Sequence, residues 1–392
     1  MKILVLLPRV PYPLEKGDKL RAYNHIRFLA KNNEIILCAI NDTQVHPDAV
    51  KHLQQFCTSI HIFNISKFSI AVNLLKAFFK GIPFQTGYFY NAKAQEKLDR
   101  IIAGEKPDHI FCQLVRVAEY MKNQPIPKTI DYQDVFSKGV QRRVDKAPFY
   151  LRPVYRSEYK RLLKYEHHVF EIFDHKTIIS RPDRDLIPHP EKDKIHIIPN
   201  GVDTDFFKPI EREKDFEIVF IGNMAYPPNV NAAEFLATKI LPIVQKSEPG
   251  ARLLLAGATP DKKVLALQSG SVTVTGWMDD IRDGYARAKT FIAPMQIGTG
   301  LQNKLLEAMA MKIPSITSQL ANNALCAKDG KEILVGNTPE EYANHILKLL
   351  NEPSFALEIG EAGYQFVINN YNWESATAEL EKVMESVQHP IP

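Results

Sequence analysis

The sequence lacks the features that mark several classes of protein. Its four cysteines, Cys38, Cys57, Cys112 and Cys326, are scattered among 392 residues without a C-x-x-C pair. This argues against a disulfide framework or a cysteine-based zinc site and is typical of a reduced, cytoplasmic protein. No run approaches the roughly 20 apolar residues of a membrane-spanning helix. Lys and Arg exceed Asp and Glu only by 49 to 45, too little to indicate a nucleic-acid partner.

The N-terminus also lacks the long apolar stretch and the small-residue cleavage site of a signal peptide. Its opening residues, MKILVLLPRVPYP, instead predict a first β-strand. From there, short apolar runs alternate with helical patterns along most of the chain. Strands that are apolar on both faces and separated by helices are typical of a parallel sheet covered on either side. We therefore predict the α/β fold class.

A break in this alternation predicts two domains. Between residues 181 and 215 the sequence is rich in proline and charge, and FEIVFIG (216–222) then restarts the series. We predict two Rossmann-like, doubly wound parallel-sheet domains facing a central cleft. Ligands of such sheets bind beyond the carboxyl ends of the strands, so two facing sheets would bring both sets of loops into one cleft. The predicted parts are an N-terminal domain of residues 1–182 completed by a C-terminal helix in 371–392, a linker of 183–215, and a C-terminal donor-binding domain of 216–370.

The stretch IGTGLQNKLLEAMAM (297–311) predicts a helix whose start can hold an anion. At about 100° per residue, Asn303, Lys304 and Glu307 share one polar edge opposite the apolar side chains. The unpaired N–H groups of a helix start favour an anion, and Lys304 adds a positive charge. An ionised Glu307 can accept hydrogen bonds from two hydroxyls, such as a ribose diol. The alternative is a solvated Lys304–Glu307 pair after a glycine turn.

Several motifs agree in order with one known family. LLEAMAMKIPSITS, IIPNGVDTDFF (197–207) and IVFIGNMAYPPNV (218–230) resemble the signature helix, interdomain loop and first donor-domain strand of glycosyltransferase family 4. PRVPYPLEKGDKLR resembles the first glycine loop of its polysaccharide-associated subgroup. The resemblance implies a GT-B fold and a retaining hexosyltransferase. Such an enzyme moves a sugar from a nucleotide diphosphate sugar to a hydroxyl of a glycan or lipid-linked acceptor, without a metal or other cofactor.

The resemblance also implies site residues. Lys304 and Glu307 are the predicted catalytic residues, on the diphosphate and the ribose. The predicted donor-binding residues are Lys16, Gly17, Gly222, Asn223, Gly257, Thr275, Thr299, Gly300, Leu301, Gln302 and Asn303. Acceptor contacts are predicted at Asp131, Gln133 and Asp134. Lys16 and Lys19 flank Gly17; the alternative for this stretch is a basic turn before a helix, with Asp18 as the N-cap.

Three positions depart from the family pattern. Thr299 stands where an acid is usual, Asn223 replaces an arginine, and Gln133 replaces a histidine. These departures motivate a second hypothesis, a catalytically inactive protein of the same fold that binds nucleotide sugars or glycans. A nicotinamide dehydrogenase is disfavoured, because no G-x-G-x-x-G motif follows a predicted strand.

Two further stretches have a structural and a functional interpretation. The D-x-D string of VDTDF (202–206) can hold a divalent cation, but the family resemblance favours a structural turn. The segment 146–170 interleaves basic and aromatic residues and contains His167 and His168. It predicts either an amphipathic helix with a solvated basic face or a peripheral contact with anionic lipid at the inner face of the cell membrane.

Overall fold

The computed structural model describes residues 1–298 and 300–386, except for the side chains of residues 145–146. The chain divides into two compact units. The first contains Met1–Pro199 and the chain from Trp373 onward, and the second contains Asn200–Asn372. Within the described residues, no helix combines the length and apolar content that a membrane crossing requires.

The first unit contains a seven-stranded parallel sheet in the order β3-β2-β1-β4-β5-β6-β7. Its strands are β1 (Lys2–Leu7), β2 (Glu34–Asn41), β3 (Ser59–Asn64), β4 (His109–Gln113), β5 (Lys128–Asp131), β6 (His175–Ile178) and β7 (His196–Ile197). Its α-helices are α1 (Gly17–Leu29), α2 (Ala49–Leu53), α3 (Lys67–Lys80), α4 (Phe84–Phe89), α5 (Ala92–Glu105), α6 (Phe136–Lys146), α7 (Arg152–Ile172), α8 (Arg181–Asp185) and the last helix of the chain, α17 (Trp373–Glu385). Two 3-10 helices are Val115–Met121 and Lys192–Lys194.

The second unit contains a six-stranded parallel sheet in the order β10-β9-β8-β11-β12-β13. Its strands are β8 (Phe216–Ile221), β9 (Leu253–Ala256), β10 (Val272–Gly276), β11 (Ala288–Ala293), β12 (Ser315–Thr317) and β13 (Leu334–Val335). Its helices are α9 (Pro227–Phe235), α10 (Leu241–Ser247), α11 (Lys262–Leu265), α12 (Ile281–Ala286), α13 (Asn303–Ala310), α14 (Gln319–Leu325), α15 (Pro339–Asn351) and α16 (Pro353–Asn370), with a π-helical turn, Leu236–Ile240, between α9 and α10.

Strand β1 shows why these sheets are covered on both faces. Leu4 and Leu6 pack into one apolar cluster, and Ile3 and Val5 pack into another on the opposite side. All four side chains are fully buried. Since successive side chains of a strand point to opposite faces, an uninterrupted apolar strand needs helices on both sides. The predicted α/β class with two doubly wound parallel sheets is confirmed.

The stretch predicted as a linker, 183–215, is not a single linker. Helix α8 and strand β7 fall within or overlap it, and both belong to the first unit. Ser180 caps α8 through its hydroxyl, and Pro182 lies in the first turn, where a missing N–H costs little. Proline and charge in this stretch therefore reflect short elements with capped ends.

The C-terminal helix α17 lies in the first unit, where it packs against α1. Its Leu380 and Met384 are fully buried in the cluster that contains Ile3 and Val5. Residues 387–392, which the predicted helix region included, lie outside the described residues.

Candidate functional site

Helix α13 begins at Asn303 and separates its apolar and polar side chains as predicted. Leu305, Ala308 and Met309 are buried, whereas Lys304 and Glu307 are only partly buried. Gln302 is the N-cap residue, but its side chain does not cap the helix. Its amide instead donates to the carbonyl oxygen of Gly300 at 2.9 Å, which shapes the preceding loop. Leu301 packs partly buried against the core of the second unit.

The direct contacts of Lys304 are with neutral groups. Its ammonium donates to Oδ1 of Asn229 at 2.5 Å and lies 4.7 Å from the ring centroid of Phe220. Burial lowers the pKa of Lys304 to about 7, and the nearby Glu307 carboxylate only partly opposes this shift. An anion bound here would favour the charged form of the lysine.

Glu307 is held by a tyrosine that the sequence analysis missed. The hydroxyl of Tyr285, on α12, donates to Oε2 of Glu307 at 2.6 Å. Burial raises the pKa of Glu307, against the opposing effects of this hydrogen bond and of Lys304. Tyr285 is fully buried beside Phe291, with ring centroids 5.5 Å apart. The only available signal was that a buried tyrosine hydroxyl needs a partner.

Two glycines that were predicted to bind the donor lie where the backbone segments after β8 and β9 approach each other closely. A Cβ atom on Gly257 would lie 2.0 Å from the carbonyl oxygen of Gly222, and Gly257 has a φ of +132°. A Cβ atom on Gly222 would lie 2.7 Å from Nδ2 of Asn229 and 3.2 Å from Nζ of Lys304. Only glycine fits at Gly257, and glycine at Gly222 leaves space for the Asn229–Lys304 contact.

Asn223, predicted to bind the donor, organises its own loop. Its Oδ1 accepts from the amide of Ala225 and from the hydroxyl of Thr259, each at 3.0 Å. Its carbonyl oxygen accepts from Nδ2 of Asn229 at 2.9 Å. Asn229 therefore links the Asn223 loop to Lys304, a role that the sequence analysis did not assign to it.

The remaining predicted donor residues of the second unit lie on neighbouring loops. Thr275 is partly buried on β10, and its hydroxyl donates to the carbonyl oxygen of Gly276 at 3.0 Å. Asn303 accepts from Nδ2 of Asn200 at 3.0 Å. The amide of Gly257 donates to the carbonyl oxygen of Gly276 at 3.0 Å, which ties the ends of β9 and β10 together. Thr299 lies outside the described residues.

An exposed tryptophan follows the end of β10. Trp277 is 68% exposed and comes directly after Gly276, whose φ is +70°. Single exposed aromatic side chains are common on protein surfaces, so this exposure alone assigns no function. The sequence analysis did not select Trp277.

In the first unit, α1 begins at Gly17, two residues earlier than an N-cap at Asp18 would require. Its N-cap is Lys16, so an N-cap role for Asp18 is wrong. Asp18 lies in the first turn and pairs with Arg9 at 3.2 Å. A cavity of about 620 Å³ follows the ends of β1 and β2 and is lined by Lys16 and Lys19, among others. A Cβ atom on Gly17 would meet no atom within 4 Å, so its packing does not require glycine.

Asp131 is not available to an acceptor, which corrects that prediction. Its Oδ2 accepts from Nε of Arg21 at 2.7 Å, and its Oδ1 accepts from Nη2 at 3.0 Å. The hydroxyl of Thr177 also donates to Oδ1 at 3.0 Å. The side chains of Arg21 and Asp131 are both 0% exposed. The sequence could not show this pairing, because 110 residues separate the partners.

Gln133 and Asp134 are placed differently. Gln133 has a φ of +58°, and its buried Nε2 has no hydrogen-bond partner among the described residues. A left-handed, non-glycine residue with an unsatisfied buried donor is uncommon and is often functional. Asp134 is exposed, and its Oδ1 accepts from the amide of Val135 at 2.7 Å.

The cluster around Lys304 lies in the part of the chain that matches a family model. Residues 215–352 match the model described as glycosyl transferases group 1. This part of the second unit is similar to the group 1 glycosyl transferases. Around Lys304, the second unit brings together the predicted residues Gly222, Asn223 and Glu307 with Asn229 and Tyr285.

Two relatives resemble longer stretches of the chain. An uncharacterized 44.6 kDa protein in the cps region of Klebsiella pneumoniae is 21% identical over 406 residues, covering 97% of this chain and 99% of the relative. A GDP-mannose-dependent alpha-(1-6)-phosphatidylinositol monomannoside mannosyltransferase of Mycobacterium tuberculosis (strain ATCC 25618 / H37Rv) is 26% identical over 210 residues. That match covers 47% of this chain and 54% of the relative.

Solved structures show the fold of the whole chain. Sucrose-phosphate synthase from Thermosynechococcus elongatus matches with a TM-score of 0.72 and 16% identity, covering 99% of both chains. HepE of Anabaena in complex with UDP matches with a TM-score of 0.70 and 13% identity, covering 98% of this chain and all of that one. The glycosyltransferase WaaG matches with a TM-score of 0.66 and 14% identity, covering 99% and 100%. The chain has the GT-B fold, as predicted.

Proposed function

We propose that this glycosyltransferase moves a sugar from a nucleotide diphosphate sugar to a hydroxyl group of a glycan or lipid-linked acceptor, with retention of the anomeric configuration. The observation that carries the proposal is the placement of Lys304, whose pKa is lowered and whose direct partners are neutral, at the start of α13. A diphosphate supplies the anion that such a group lacks. Glu307, one turn further along α13, would accept from the ribose hydroxyls.

The proposed chemistry needs no metal or other cofactor. As the bond between the anomeric carbon and the diphosphate breaks, negative charge grows on the leaving oxygen, and Lys304 stabilises it more in the transition state than in the ground state. The acceptor oxygen forms its new bond on the same face of the sugar. Its proton passes to the leaving diphosphate, so the proposed step needs no protein side chain as the base.

The neighbours and relatives support the donor and acceptor classes. HepE was solved with UDP, and the mycobacterial relative is named as GDP-mannose-dependent. The Klebsiella relative is located in a cps region, and the mycobacterial enzyme acts on a phosphatidylinositol mannoside. For this chain we propose a role in polysaccharide or glycolipid assembly at the cell envelope. Gln133 and Asp134 would contact the acceptor, because Nε2 of Gln133 is a donor without a partner among the described residues.

The test is turnover of UDP-, GDP- and dTDP-sugars by the purified protein, with simple glycans and lipid-linked sugars as acceptors. We expect one donor to be consumed and the product to keep the donor's anomeric configuration by NMR. Lys304→Ala should remove most turnover, whereas Lys246→Ala, an exposed lysine of α10, should not. Nucleotide-sugar binding without transfer to any acceptor would instead favour the inactive binding protein, and an inverted product would contradict retention.

We also propose a peripheral membrane contact through the first unit. Exposed apolar side chains lie on α3, in the turn before α7 and in its first turn: Phe68, Leu75, Phe78, Phe79, Phe149, Tyr150 and Val154. Exposed basic residues accompany them: Lys67, Lys76, Lys80, Arg152, Arg156 and Lys160. Arg161 of α7 donates to the carbonyl oxygens of Ala77, Phe78 and Ile82 at 3.1–3.2 Å. The end of α3 is thereby fixed against α7.

This combination of apolar and basic side chains fits an anionic lipid surface. It enlarges the segment that the sequence indicated, 146–170, by including α3. Flotation with vesicles of neutral lipid, with and without added anionic lipid, tests the contact. We expect recovery only with anionic lipid, and a clear loss in Phe68→Ser/Phe79→Ser. Leu357→Ser, which alters an equally exposed side chain of the second unit, is the matched control; equal recovery of both variants would contradict the proposed surface.

A further inference from the structure

A cluster of two histidines and a glutamate in the first unit lies apart from every residue assigned above to a sugar or nucleotide. One potential ligand atom from each of His167, Glu171 and His189 lies within 4.8 Å of the other two. His167 and Glu171 are four residues apart on α7, so they project from one face of the helix. His189 approaches from the turn after α8. We propose that these three side chains bind one Zn²⁺ ion.

The tautomer of His167 suits this role. Its Nδ1 lies 3.0 Å from the carbonyl oxygen of Pro188. A carbonyl oxygen can only accept, so Nδ1 carries the hydrogen and Nε2 keeps its lone pair. Histidines that bind metals are commonly oriented in this way, by donating the other ring N–H to a carbonyl group.

His189 is buried and stacked on an aromatic ring, whereas Glu171 is exposed. The side chain of His189 is 3% exposed, and its ring stacks on Phe170 with centroids 3.7 Å apart. Glu171 is 61% exposed, and its Oε1 lies 2.6 Å from Nε2 of His189. With one buried imidazole, one exposed imidazole and an exposed carboxylate, small side-chain rotations would bring the cluster to zinc–ligand distances of roughly 2.0–2.2 Å.

One hydrogen bond must be given up for the metal to bind. Nδ1 of His189 accepts from the amide of Glu191 at 3.1 Å, so Nε2 carries the hydrogen that points at Glu171. Ligation through Nε2 moves that proton to Nδ1 and releases the Glu191 amide. Because Glu191 is exposed, water can take over this hydrogen bond. Water would occupy the fourth position of the proposed site.

Nitrogen and carboxylate ligands favour Zn²⁺ over Mg²⁺ or Ca²⁺, which prefer all-oxygen sites. By joining α7 to the turn at His189, the ion would stabilise the segment between α8 and β7. The competing explanation is an ordinary His189–Glu171 ion pair with a neighbouring histidine. The two explanations differ in whether His167 affects zinc binding.

The experiment is a calorimetric titration of the untagged, chelator-treated full chain with Zn²⁺, repeated for His167→Ala, Glu171→Gln and His168→Ala. His168 is an exposed neighbour on α7 outside the cluster, and it serves as the matched control. We expect one zinc per chain, binding about 100-fold weaker in His167→Ala and about tenfold weaker in Glu171→Gln. His168→Ala should bind as the unaltered chain does.

The changed side chains of all three variants are exposed, so each should melt without metal at the temperature of the unaltered protein. Zinc should then raise the melting temperature of the unaltered chain and of His168→Ala by the same amount, that of Glu171→Gln by less, and that of His167→Ala least. Two results would overturn the proposal. One is the absence of stoichiometric zinc binding, and the other is equal affinity in His167→Ala and the unaltered chain, which would locate the ion elsewhere.

Discussion

The two units treat their inward-facing charges in opposite ways. In the first unit, Arg21 and Asp131 meet in a two-pronged, fully buried ion pair. In the second, the direct partners of Lys304 and Glu307 are neutral: the amide of Asn229 and the hydroxyl of Tyr285. A pair that satisfies itself has little left for a ligand. A charged group whose direct partners are neutral can still form a strong electrostatic interaction with a bound ligand.

The difference between the two units is tested most directly at the buried Arg21–Asp131 pair. Asp131→Ala leaves the Arg21 guanidinium buried without its carboxylate, which should lower the free energy of unfolding of the first unit by about 3–5 kcal/mol. Urea unfolding followed by circular dichroism measures this. Asp134→Ala, at an exposed carboxylate nearby, should change stability little. A small effect of Asp131→Ala would show that the pair is dispensable for the fold.

The same kind of change in the second unit should affect activity instead of folding. Lys304→Ala removes a charge that is costly to bury, so the fold should persist. If Lys304 stabilises the leaving diphosphate, kcat should fall about 100- to 1000-fold, and nucleotide affinity should fall much less. Steady-state kinetics with calorimetric nucleotide binding separates the two quantities. Unchanged kcat would remove Lys304 from the mechanism.

The lowered pKa of Lys304 predicts proton uptake on nucleotide binding. With a pKa of about 7, the free lysine is mostly neutral at pH 8. A bound diphosphate raises that pKa, so binding at pH 8 should take up about one proton per nucleotide, and less at pH 6, where the lysine is already charged. Calorimetry in buffers of different ionisation enthalpy measures the uptake. Its persistence in Lys304→Ala would assign the proton to another group.

The smallest effects should come from Glu307 and its partner. Glu307→Ala should weaken nucleotide binding about tenfold, because a carboxylate that accepts from a ribose diol is lost. Tyr285→Phe keeps the carboxylate and removes only its donor, which should weaken binding about threefold. Both variants should melt close to the unaltered protein. If Tyr285→Phe were the more damaging change, the tyrosine would have a role beyond holding Glu307.

The apolar pattern of the sequence was sufficient to predict the fold and the buried face of α13. Long strands such as β1 and β8 are visible in the sequence because their side chains are buried on both faces. Strands β7 and β13 have only two residues each, too few to show a period. The division of α13 into a buried and a polar side follows from helical spacing alone.

The sequence could not predict hydrogen bonds between side chains that are distant along the chain. Asn229 lies 75 residues from Lys304, and Tyr285 lies 22 residues from Glu307. No spacing rule connects such positions, so the neutral partners of the two predicted catalytic residues were missed. The error at Asp131 has the same origin: a carboxylate at a strand end can face a ligand or a buried arginine, and only the fold shows which.

The route of the chain between the two units bears on how such proteins can be recombined. The amide of Val202 donates to the carbonyl oxygen of Tyr371 at 2.9 Å, and Val202 also forms a β-bridge with Asn372. The second unit is thus inserted into the first, with both junctions side by side. A whole second unit from a relative could be exchanged at these two points in a single step, and a short peptide could close the gap if it were removed. Any substrate preference that depends on residues of that unit would then be transferred together with it.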